Sequence, residues 1–207
     1  MVDSVFYVVR IAQVPFRAPV EEKESRSRRE PAEADRGTSL DETSVEASQS
    51  SRNAWLFQSN PLLYDLRGAL GLLREQVWSV SRFSKEIRTG DRVYLWEAGR
   101  RGGIAAVAEI REPARPQPEP TEQLRFARDA GAFAGDRLRA RLRILQVIDP
   151  VIPRQSVASN PELSALGVLR CSRGTNFRLS LEEWQALNDL ILGAAALMFK
   201  QLDSSRG

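Results

Sequence analysis

Apolar and polar positions alternate most sharply between Asp136 and Val147, where Arg137, Arg139, Arg141 and Arg143 interleave with Leu138, Ala140, Leu142 and Ile144. A period of two puts the aliphatic set on one face of a strand and a row of guanidinium groups on the other. A second strand follows the Gly90-Asp91 turn: Val93 and Leu95 alternate with Arg92 and Tyr94 until Trp96 breaks the pattern, as in a mostly buried strand. The glycine-rich turn Glu97 to Gly103 then leads into a small-residue strand, Ile104 to Ile110, so this pair reads as a hairpin. Trp55 to Phe57 is an earlier strand. After it, Asn60 and Pro61 read as N-cap and first position of a helix carrying Leu62, Leu66, Ala69, Leu70 and Leu73, so that Trp78 follows an apparent helix end.

Glu112 to Pro120 holds four prolines and predicts a surface loop, and the stretch from there to Gly135 is indistinct. Asn160 to Leu166 predicts a short helix and Val168 to Cys171 a last short strand. Ser180 followed by Glu183 is a capping box with Leu179 and Trp184 as its staple, and the helix it opens runs through Leu187, Ile191, Ala194 and Met198. Strands in the middle with helices between and around them predict an α+β domain, a small mixed β-barrel of about five to six strands with flanking helices.

Composition sharpens this picture. From Glu21 to about Arg52 there is hardly an aliphatic residue, too little apolar surface to offset the entropy of ordering the chain, so residues 1–52 are expected to be a largely disordered tail. Val5 to Val14 within it reads either as a short docking strand or as a stray segment from a misassigned start. The domain is assigned to residues 53–202, with 203–207 a short C-terminal tail. No apolar run approaches the roughly 20 residues of a membrane span, and the start lacks a signal peptide's basic flank, so a cytoplasmic location and no membrane partner are expected. The chain has no histidine and one cysteine, Cys171, which removes zinc fingers, His-based nucleophile pairs and most transition-metal sites. No metal or cofactor is expected. Residues 1–50 hold 7 Lys+Arg against 10 Asp+Glu, which leaves 23 against 17 beyond them, a basic body suited to a polyanion.

Four words in order carry a resemblance: W-L-F-Q-S-N-P from Trp55, W-S-V-S-R-F from Trp78, G-D-R-V-Y-L-W from Gly90 and G-T-N-F-R-L-S-L-E-E-W from Gly174. With them, residues 54 to 184 resemble the EVE domain of the PUA-like superfamily, related to YTH and ASCH domains. The resemblance implies a barrel of that architecture and a module that reads a modified base, such as 5-methylcytosine or 5-hydroxymethylcytosine in DNA, flipped out or unpaired. In similar domains the tryptophan of the W-S word lines the cage that holds the base.

Trp78 is therefore the candidate first wall of a base pocket and Trp96 the candidate opposite wall, the alternative for each being burial for area. Trp55 is either core or rim. Ser59, Asn60, Ser79, Thr175 and Asn176 are candidates for the polar edge of the base, although capping or turn duty also explains Asn60 and the Thr175-Asn176 pair. For the nucleic-acid backbone the candidates are Arg82, Arg100, Arg101, Arg137, Arg139, Arg141 and Arg143, against solvated or ion-paired arginines. Recognition without catalysis is expected. The alternatives are the same fold on RNA, a nucleotide-modifying enzyme using Glu97, Asp91 or Glu109, and an interaction domain without nucleic acid. Any cutting or other effect would need a separate nuclease or effector protein.

Overall fold

The computed structural model describes residues 52–171 and 174–204, and the expected N-terminal tail lies, apart from Arg52, outside the described residues. Six strands form one mixed sheet. They are β1 (Ala54–Ser59), β2 (Glu75–Ser79), β3 (Arg92–Glu97), β4 (Gly103–Gln117), β5 (Arg137–Pro153) and β6 (Asn176–Arg178), in the order β2-β5-β4-β3-β1-β6. Only β1 and β3 run parallel, with Trp55 opposite Val93 and Gln58 opposite Trp96. The helices are α1 (Leu66–Leu72), α2 (Thr121–Leu124), α3 (Arg154–Ser159), α4 (Gly167–Arg170) and α5 (Leu181–Ser204), with a 3₁₀ turn at Ala130–Phe133. None of the helices among the described residues is long and apolar enough to cross a membrane.

All of β1 is buried because the central parallel pair is covered on both faces. Pleating sorts its side chains by parity. Trp55, Phe57, Val93 and Leu95 enter one core with Trp78, Leu70 and Ile110, whereas Leu56, Tyr94 and Trp96 enter a second with Ile104, Leu166 and Leu187. The two sheet edges are joined by a side chain. Asn176 of β6 accepts from Ser81 N at 3.0 Å and donates to Ser79 O at 3.3 Å, which curls the sheet towards a barrel.

Several expected elements differ. Asn60 caps only a turn, accepting from Leu62 N at 3.0 Å, and the helix starts at Asp65, whose carboxylate accepts from Gly68 N at 3.1 Å. Trp78 consequently sits inside strand β2, paired with Ala140, and not at a helix end. β4 continues through Pro113 and Pro116 because β3 pairs it only as far as Glu109, so the distal part needs no ladder on that side, and bulges fall between Ile110, Glu112 and Arg115. Residues 168–170 form α4, not a strand; the last strand is Asn176–Arg178, carried by β1 through Leu56–Phe177 pairing. The stretch from Asn160 to Leu166 is a set of turns, and the helix lies just before it, at α3. The hairpin β3–β4 and the capping box are present as expected, with Ser180 N donating to Glu183 Oε2 at 2.8 Å and Glu183 N to Ser180 Oγ at 3.2 Å.

Candidate nucleic-acid interface

A cavity of about 410 Å³ opens where the end of β1, the middle of β2 and the approach to β6 converge. From the predicted set it is lined by Ser59, Asn60, Trp78, Ser79, Thr175 and Arg137. These come from four separate parts of the chain. Trp78 is 8% exposed. It packs on Phe57, ring centroids 6.1 Å apart at 37°, and thus combines a core contact with a border on the cavity.

The two indoles expected to face each other do not. Trp96 follows Leu95 along β3, so the pleat turns it to the opposite face from Phe57 and Trp78, where it is 1% exposed in the second core. Trp55 is wholly buried, and its indole N–H donates to Asp91 Oδ2 at 2.7 Å. Asn176 is buried as well, engaged by the Ser79–Ser81 backbone and by Thr175 Oγ1 at 2.9 Å. It positions the cavity wall and does not line it.

The second aromatic border comes from residues the sequence reading passed over. Tyr64 and Phe133 both line the cavity, with centroids 5.7 Å apart at 52°. Phe133 comes from the 3₁₀ turn in the indistinct stretch; its one signal is a single aromatic between small residues, Ala130-Gly-Ala-Phe-Ala-Gly135. Gln123 and Glu119 line the cavity from the segment around α2. Gln123 acts as a substitute strand at the free edge of β2: Val77 N donates to its Oε1 and its Nε2 donates to Val77 O, both at 2.8 Å.

The arginine row divides by depth. Arg139 is completely buried, correcting the expectation that it faces solvent. Its Nε donates to Glu119 Oε2 at 2.7 Å, and three more of its N–H groups reach the carbonyls of Gln117, Gly135 and Phe133. A buried guanidinium requires this degree of pairing. Arg141 pairs with Glu112 at 3.1 Å and Glu75 at 3.7 Å, and Arg143 with Glu109 at 3.4 Å, so each has an acid beside it, although Glu112 and Glu109 are shared with Arg115 and Arg111. Arg82 lies over the Phe83 ring at 5.1 Å. Arg100 and Arg101 are exposed on the β3–β4 turn, among residues that do not line the cavity. Burial pushes the Glu119 carboxyl above the usual carboxylate range, opposed by Arg139. Burial, with help from Glu119 and Asp65, likewise raises the Tyr64 phenol. No cluster of acidic or sulfur ligands suited to a metal ion occurs among the described residues.

A curled six-stranded mixed sheet with flanking helices and a cavity at the strand ends defines an α+β domain of the PUA-like class. The EVE domain model matches residues 53–190, and the chain belongs to the EVE domain family. A hypothetical protein from Leishmania major is similar in structure, at 16% identity and TM-score 0.52, over 70% of this chain and 98% of that one. The DUF55 domain of human thymocyte nuclear protein 1 is similar at 15% identity and TM-score 0.51, over 67% and 98%. Human THYN1 in complex with 5-methylcytosine-containing DNA gives 15% identity and TM-score 0.49, over 67% and 97%. A search of curated proteins found no significant match. At such identities the likeness is one of fold.

Proposed function

We propose that the protein reads nucleic acid by taking one modified base, unpaired or flipped out of its stack, into the cavity beside Trp78. The observation that carries this reading is the coincidence of that indole with a cavity of about 410 Å³ that also has hydroxyl and amide groups at its border, from Ser59, Asn60, Ser79 and Thr175. The volume falls in the roughly 300–1,000 Å³ range of small-ligand sites, whose pattern is an apolar body with a few convergent polar groups. Membership of the EVE family supports the same reading.

The energetics set its limits. Extruding a base costs a few kcal/mol, stacking on an aromatic returns about 1–3 kcal/mol, and phosphate contacts must supply the remainder. Arg137, at the cavity itself, is the first candidate for such a contact, while Arg141 and Arg143 do not line the cavity and each pairs with acids. A single added methyl group is worth about 0.8 kcal/mol by burial, and pocket shape extends discrimination to about 10- to 200-fold. Binding without turnover is the better supported mode. Asp91 is occupied by the Trp55 indole and two backbone N–H groups, Glu97 by Arg67 and Glu109 by Arg143, and none of the three lines the cavity.

The test is a panel of short single-stranded DNA and RNA oligonucleotides, with and without modified bases, titrated against the parent and Trp78→Ala. The variant should lose about tenfold or more in affinity for its preferred member, since stacking of about 1–3 kcal/mol is removed. Equal affinity of parent and variant for every member overturns the proposal. The panel also separates DNA from RNA as the natural polymer.

A further inference from the structure

We infer that Glu119 makes the cavity selective for a base carrying an exocyclic amino group, so that a cytosine-type ring is accepted and a thymine- or uracil-type ring is disfavoured. This rests on the base-reading proposal above. Among the described residues that line the cavity, Glu119 is the one carboxylate, and its side chain is only 4% exposed.

The argument is a count of donors and acceptors. Arg139 Nε donates to Oε2 at 2.7 Å and Gln123 Nε2 to Oε1 at 2.6 Å, so donors hold the carboxylate from both sides and favour its acceptor form against the upward push of burial. Three of the four other N–H groups of Arg139 go to the backbone carbonyls of Gln117, Gly135 and Phe133, and the second Gln123 N–H goes to that of Val77; Arg139 itself is not among the residues that line the cavity. The Gln123 carbonyl oxygen in turn accepts from Val77 N. Each carboxylate oxygen accepts about two hydrogen bonds and has received one. At the cavity, where Gln123 and Glu119 are the members that line it, the network has its donors committed and acceptor capacity left over.

A cytosine 4-amino group supplies the donor that such a floor lacks, the pairing by which Glu and Asp read cytosine in duplex grooves. The 4-oxo group of thymine would set an oxygen against a carboxylate with no proton between them. A hydrogen bond to a charged acceptor is among the stronger ones, so the preference should be about tenfold or more.

The experiment uses the full chain and four single-stranded oligonucleotides that differ only at one central position: 5-methylcytosine, thymine, 5-methylpyrimidin-2-one, which carries hydrogen in place of the amino group, and an abasic site. Fluorescence anisotropy should rank 5-methylcytosine about tenfold or more above both thymine and the pyrimidinone. Glu119→Gln, whose amide can donate to a 4-oxo group, should collapse the ratio of 5-methylcytosine to thymine. If that variant does not fold, Glu119→Asp keeps the charge opposite Arg139, withdraws the acceptor by one methylene and should lower the same ratio. A 5-methylcytosine strand that outbinds the abasic strand while matching thymine or the pyrimidinone overturns the inference and leaves base reading intact. A folded variant with the parental ratio also overturns it. If no base outbinds the abasic site, the base-reading proposal itself has failed.

Discussion

Arg139 and Arg141 are two positions apart in an alternating row, yet their substitution should have very different consequences. Arg139→Ala would strand Glu119, 4% exposed, without its guanidinium partner and remove the donor from the carbonyls of Gln117, Gly135 and Phe133. Breaking a buried pair from one side costs roughly 3–5 kcal/mol, much of it the uncompensated charge. At about 2–4 °C per kcal/mol for a domain of this size, the midpoint of thermal unfolding should fall by roughly 6–20 °C. Arg141 is 32% exposed and pairs with half-exposed acids, an arrangement worth about 0–1 kcal/mol, so Arg141→Ala should move the midpoint by no more than a few degrees. Removing both charges, as in Arg139→Met with Glu119→Gln, should restore part of the loss because no isolated carboxylate remains. The assay is thermal or urea unfolding followed by tryptophan fluorescence and circular dichroism. Equal midpoints for Arg139→Ala and Arg141→Ala would refute the assignment of the two side chains to different depths.

Trp55→Phe should cost about 1–3 kcal/mol, since it deletes the 2.7 Å hydrogen bond to buried Asp91, while the ratio of modified to unmodified base in the binding panel should not change; a changed ratio would return Trp55 to the cavity rim. In alkaline titration followed by ultraviolet absorbance, no more than one of the three tyrosines should ionise near the ordinary value of about 10, because burial raises both Tyr64 and Tyr94. The folded chain holds these phenolic protons more tightly than the unfolded chain does, so stability is lost as pH climbs past about 10, and a flat stability profile there would contradict their burial. Arg137→Ala should lower the slope of log affinity against log salt by about 1, and Arg141→Ala should leave it alone. The opposite pattern would move the phosphate contact to the outer face of β5.

Period-two alternation and turn chemistry were enough to locate β1, the β3–β4 hairpin, β5 and the cap of α5, because these signals are local: a pleat, a glycine turn, a Ser-x-x-Glu box. The words around Trp55, Trp78, Gly90 and Gly174 likewise identified the family and brought five of the cavity's residues into view, to which the alternating arginine row added Arg137. What each face of a strand meets was not in the pattern. β1 and β3 are covered on both sides, so their two sets of side chains are equally apolar, and only the assembled layers show that Trp96 and Trp78 belong to different cores. Arg139 looks like its neighbours along the chain and is buried only because Glu119, 20 positions earlier, lies under the same strand. Four prolines read as a loop until the missing neighbour beyond Glu109 frees that edge of β4 from pairing. Three-residue β6 and the Phe133 border have too short a signal to stand alone and take their place from β1 and from Tyr64. Local rules determined where elements begin and which way side chains alternate. Contact between distant segments decided which alternate face became core, which charge became buried, and where a cavity was left.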